Sequence, residues 1–89
     1  MEEIFGIGAF RSRQQVMRFE SVLKRRGVRV SVISTPRDVS VGCGLSVRFE
    51  IEDADKVLGA YTQSSFGNLI GFYRVHRQGQ GRPVVTSLQ

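Results

Sequence analysis

Between Ser12 and Val32 the spacing of apolar residues changes once, and that change constrains the fold more than any other feature of the chain. Val16, Phe19, Val22 and Leu23 recur at helical intervals, with Ser12 and Gln15 at capping-box spacing before them and Gly27 offering a left-handed stop. Directly afterwards Val28, Val30 and Val32 alternate with Arg29 and Ser31, the period of a strand with one buried face. A helix of about fourteen residues is thus followed directly by a strand. Upstream, Glu3 to Phe10 is apolar and carries Gly6 and Gly8, which suits a central strand against which something packs closely. Downstream, Leu45, Val47 and Phe49 alternate with Ser46, Arg48 and Glu50 as a third strand. Asp53 is placed to cap a second helix through Ala54, Val57, Leu58 and Tyr61, which Gly59 weakens, and Asn68 to Val75 is rich in strand formers.

The resulting order, β-α-β-β-α-β, predicts an α+β, ferredoxin-like sandwich: a four-stranded antiparallel sheet with both helices on one face. At 89 residues the chain holds one domain, expected over residues 1–76. Residues 77–89 contain Gly79, Gly81, Pro83 and several polar residues, and the reading there is a flexible tail. A fold of this kind hosts RNA binders, metal carriers, regulatory modules and enzymes, so function must be argued from a site.

Cys43 stands alone, which excludes an intramolecular disulfide and a structural zinc site. No metal and no cofactor are expected. The acidic start, Met1-Glu2-Glu3, is unlike a secretion signal, and the apolar run from Ile4 to Phe10 is too short for a membrane span, so the expected setting is the cytoplasm without membrane association. Catalysis of a complete reaction is not expected, because His76 is the only histidine and has no evident partner beside the thiol.

The segment Thr35-Pro36-Arg37-Asp38-Val39-Ser40-Val41-Gly42-Cys43-Gly44 sets the single thiol between two glycines. Gly42 and Gly44 permit unusual backbone angles and leave no side-chain walls, so they can present the sulfur; a tight turn would use them equally well. Arg37 and Arg48 are candidates to stabilise a thiolate, and each is also readable as solvated surface charge. A free cysteine packed as a small apolar residue at the start of a strand is the competing interpretation of Cys43.

Phe10, Phe19-Glu20, Thr35-Pro36-Arg37, Gly42-Cys43-Gly44-Leu45 and Arg48-Phe49 together resemble the short selenium or sulfur carrier-like proteins, over about residues 4–75. The resemblance implies that Cys43 holds the chalcogen as a persulfide or selenosulfide and passes it from a donor protein to an acceptor protein. Without a second cysteine, any resolving thiol belongs to a partner.

The chain has 13 Lys and Arg against 8 Asp and Glu, for a net charge of +5, and seven of the basic residues against one acidic residue fall between positions 11 and 29. Arg18, Lys24, Arg25 and Arg26 on the first helix are therefore candidates for docking an acidic partner by steered encounter. The alternative functions are an RNA-binding module using the same arginines, or a homodimeric small-ligand regulatory domain. Leu45 to Ile51 lacks the glycine-aromatic signature of an RNA-stacking strand, which weighs against the former.

Overall fold

The computed structural model describes residues 2–36, 44–64, 69–79 and 81–88. The chain runs β1 (Glu2–Phe10), α1 (Arg13–Arg25), β2 (Val30–Ser34), β3 (Leu45–Phe49), a 3-10 turn (Ile51–Asp53), α2 (Ala54–Gln63), β4 (Leu69–Gln78) and β5 (Val84–Ser87). All five strands form one antiparallel sheet in the order β2-β3-β1-β4-β5. The α+β class and the two helices follow the sequence reading. The number of strands does not, because the sheet has five rather than four.

The fifth strand corrects the expectation of a flexible tail from residue 77 onward. β4 continues to Gln78, and the chain then turns, with the Gly81 amide donating to the Gln78 carbonyl at 3.2 Å. Val84–Ser87 returns along β4 in the register His76 with Val84 and Tyr73 with Ser87, and Val85 packs beside Val75. Val84, Val85 and Thr86 are strand formers, but a run of four residues after a Gly-Pro-rich turn is too short to show a strand period, and pairing with β4 is what fixes it as a strand.

Alternation along β1 divides the sheet into two faces. Phe10 faces the helices, and Phe19, Val16 and Leu23 of α1 join Val57 and Ala60 of α2, Val47 and Phe49 of β3 and Phe72 of β4 in one buried cluster. Both helices thus cover the same face. Phe19 ties the layers together, with its ring centroid 5.5 Å from Phe10, 6.0 Å from Phe72 and 6.2 Å from Tyr61. On the opposite face Phe5, Ile7 and Val75 form a smaller cluster flanked by Ile33, Tyr73 and Val85.

The close packing expected at Gly6 and Gly8 is present and has a definite partner in each case. A β-carbon at Gly6 would lie 2.1 Å from the Phe49 ring, and one at Gly8 would lie 2.7 Å from the Phe72 ring. The two phenylalanines lie against the bare backbone of β1, so the core contains two rings where side chains from β1 would otherwise stand.

At the start of α1, Ser12 caps as expected, its hydroxyl accepting from the Gln15 amide at 3.4 Å. The reciprocal half of the capping box is not made: Gln15 Oε1 is buried without a hydrogen-bond partner among the described residues. Asp53 occupies the residue before α2, but its side chain does not cap, because the preceding 3-10 turn leads directly into the helix.

Candidate functional site

The residues around the cysteine hang from the ends of β2 and β3, which lie side by side with Ser34 opposite Leu45. One step beyond that pair the Thr35 amide donates to the Gly44 carbonyl at 3.0 Å, which clamps the two ends of the segment together. Beneath the clamp the Thr35 and Ser46 hydroxyls meet at 2.7 Å in a buried hydrogen bond. Gly44 has φ +124°, and a β-carbon there would stand 3.2 Å from the Phe10 carbonyl oxygen. Glycine is thus demanded at 44 by the backbone of the clamp itself, both through its left-handed angle and through the closeness of β1.

Cys43, Gly42 and Arg37 lie outside the described residues. Cys43 is bonded to Gly44, so the thiol's chain position is at the same end of the sheet as the last residue of β1 and the first turn of α1. An open groove of about 420 Å³ opens there, lined by Arg11, Arg13, Ser34, Gly44 and Leu45.

Arg48 lies further along β3. It stands four positions after Gly44, about 13 Å of extended strand. Its guanidinium donates to Glu3 at 2.9 Å and stacks 4.0 Å above the Phe5 ring. Arg77 approaches the other oxygen of Glu3 at 3.7 Å. The hydrogen bond from Arg48, helped by the charges of Arg48 and Arg77, holds the Glu3 carboxyl below its ordinary value. Arg48 is therefore engaged with Glu3 at the end of the sheet away from Gly44. A contact spanning 45 residues of sequence is invisible to local spacing, which is why the chain alone left Arg48 available to the thiol.

The same far end carries the histidine. His76 Nε2 lies 3.1 Å from Glu2 Oε2, and Gln78 donates to that oxygen at 2.9 Å. The Gln78 amide and the adjoining His76 ring keep Glu2 below the ordinary carboxylate value.

Of the α1 residues considered for docking, Arg18 and Arg25 stand seven residues apart on the solvent stripe opposite Val16, Phe19 and Leu23, and both are exposed. Lys24 pairs with Glu20 at 3.3 Å. Arg26 ends the helix and borders a second groove, of about 460 Å³, between α1 and α2. The four cations thus encircle the last turns of α1 and do not share one stripe. The strand aromatics offer little stacking surface: Phe49 and Phe72 are in the helix-side core, Phe5 is 3% exposed beneath Arg48, and Tyr73 is half-buried against the cluster of Phe5, Ile7 and Val75.

The model of the family described as "Putative Se/S carrier protein-like" matches residues 6–67, more than half of the chain. The chain belongs to that family. The match begins within β1, takes in the clamp and Cys43, and reaches the end of α2. No curated protein and no solved structure matches this Se/S carrier-like chain. Among its described residues no three His, Cys, Asp or Glu side chains are grouped to hold a metal ion, and no helix is long and apolar enough to cross a membrane.

Proposed function

We propose that this Se/S carrier-like protein transports sulfur or selenium on Cys43. Membership of the family over a span that includes Cys43 is the observation that carries the reading. The Thr35–Gly44 clamp supports it, since it fixes the chain one residue after Cys43 at the end of the sheet.

In loading, the Cys43 thiolate attacks the terminal sulfur of a donor persulfide. A new sulfur–sulfur bond forms at Cys43 as the donor's own breaks, and the donor departs as a thiolate. In unloading, an acceptor nucleophile attacks the same terminal atom and Cys43 is the leaving thiolate. Selenium moves by the same exchange through a sulfur–selenium bond. Each step exchanges one bond for another and needs no external oxidant. The exposed cations of α1, Arg18, Lys24, Arg25 and Arg26, would steer acidic donor and acceptor surfaces to the protein.

The test is intact-mass analysis of protein purified without reductant and after incubation with a persulfide donor, paired with alkylation of the native thiol across pH. The expected result is the added mass of one sulfur or selenium, released by reductant and lost in Cys43→Ser, together with a thiol that alkylates faster than in the unfolded chain. A native thiol protected from alkylation, with no mass gained from the donor, refutes the carrier reading.

A further inference from the structure

We propose that the groove between the start of α1 and the ends of β2 and β3 is a binding site for a small oxyanion of the phosphate or thiosulfate class. Its two charged lining residues, Arg11 and Arg13, are both exposed, and neither meets a carboxylate among the described residues. Ser34 adds a hydroxyl, and Gly44 leaves the wall without a side chain. Both arginines line one open groove of about 420 Å³, and a guanidinium group can bind a tetrahedral oxyanion through two parallel hydrogen bonds.

The way the fold distributes charge points to the same ligand. Of the eight acidic residues, Asp38 lies outside the described residues and Glu20 sits midway along α1, paired with Lys24. Glu2, Glu3, Glu50, Glu52, Asp53 and Asp55 all fall at the far end of the sheet, at the start of β1 or between β3 and the first turn of α2. Arg11 and Arg13 therefore face the groove without a described carboxylate nearby. They also sit where helix energetics disfavour them. The first turn of α1 has no acidic residue, and two cations flank Ser12 at the positive end of the helix dipole. A bound anion would offset that penalty, because it would place negative charge beside both arginines at the positive end of the helix. The groove at Arg26 lacks this character, since the other cation on its rim, Lys56, lies 3.9 Å from Asp53.

Binding at this groove is independent of the thiol. Its role, to hold the oxyanionic head of a chalcogen donor beside the Cys43 position, rests on the carrier reading. The test uses the full chain carrying Cys43→Ser, which keeps thiol chemistry out of the measurement. Inorganic phosphate and thiosulfate are titrated separately at low ionic strength and followed by backbone amide chemical shifts. Saturable shifts centred on Arg11, Arg13, Gly44 and Leu45 are expected. Arg11→Gln/Arg13→Gln should weaken binding at least about tenfold, as loss of charge-assisted contacts requires, whereas Arg25→Gln/Arg26→Gln, which removes equal charge from the other end of α1, should leave it within about twofold. Non-saturating shifts, or equal weakening by both pairs, would overturn the site in favour of general electrostatic attraction. If phosphate or thiosulfate binds as described while wild-type Cys43 gains no chalcogen, the carrier reading fails and the oxyanion site stands.

Discussion

Replacing Gly6 by alanine inserts one methyl group between β1 and the ring of Phe49, and the geometry sets the consequence. The new carbon would lie 2.1, 2.4 and 2.8 Å from three ring atoms, where ordinary carbon contacts need roughly 3.5–4.0 Å. The ring must retreat by more than about 1 Å, and Phe49, only 2% exposed, has packed neighbours behind it. Overpacking of this kind costs roughly 1–3 kcal/mol, against a gain of about 0.4–1 kcal/mol from stiffening the unfolded chain. A contact as close as 2.1 Å belongs in the upper half of that range, so the net loss is about 1–2 kcal/mol out of the roughly 4–13 kcal/mol typical of a chain this long. A thermal melt followed by circular dichroism should therefore fall by about 5–15 °C. Gly59→Ala is the internal control: it makes the same chemical change inside α2, where an added β-carbon meets nothing within 4 Å. There alanine should stabilise by about 0.5–1 kcal/mol. Adding Phe49→Leu to Gly6→Ala should cost less than the sum of the two single changes, because each relieves the other. A Gly6→Ala protein that melts with the wild type, or a pair of glycines that respond alike, would refute the account of β1 as a strand pressed directly by core rings.

Acid should destabilise the fold through its far end. Glu2 and Glu3 are held below their ordinary value of 4.5 in the folded protein, so the stability they contribute is complete above that value and is lost as pH falls through their lowered folded values. Urea midpoints measured between about pH 6 and pH 3 should fall, and Glu3→Gln should flatten part of that fall; an unchanged slope in the variant would contradict the role given to the Arg48 contact. At the other end, Ser46→Ala leaves the Thr35 hydroxyl buried without its partner and should cost about 1–3 kcal/mol in urea unfolding, while adding Thr35→Val should recover part of the loss. A double variant no better than the single would mean that the hydroxyl pair is not the source of the cost.

The order of elements through β4 was legible because each carries its own period: Val16, Phe19 and Leu23 at helical spacing, Val47 and Phe49 at strand spacing, and Ser12 at the cap. Gly6 and Gly8 announced a close approach, but the identity of the intruding rings depended on how β3 and β4 pair with β1. β5 was missed because four residues have too little pattern to outweigh a Gly-Pro-rich setting. The asymmetry of the candidate site followed the same logic. Gly44 could be read as special from its place beside Cys43, yet what demands glycine there is its φ of +124° together with the Phe10 carbonyl, 34 residues away in sequence. Arg11 and Arg13 looked like part of a uniformly basic helix until the topology sent six carboxylates to the opposite end of the sheet.

The bond between the Thr35 amide and the Gly44 carbonyl closes a ring in the chain, with the sheet on one side of it and residues 36–43 on the other. Once a ring is closed, the entropy of the residues inside it depends only weakly on their number, and doubling their length costs about 0.6 kcal/mol. The cysteine segment can therefore be lengthened, shortened or exchanged as a cassette without disturbing the alignment of β2 with β3. A chain built this way separates the segment that contains Cys43 from the contacts that keep the sheet aligned, so residues around that cysteine can be rewritten while the scaffold below the clamp stays as it is.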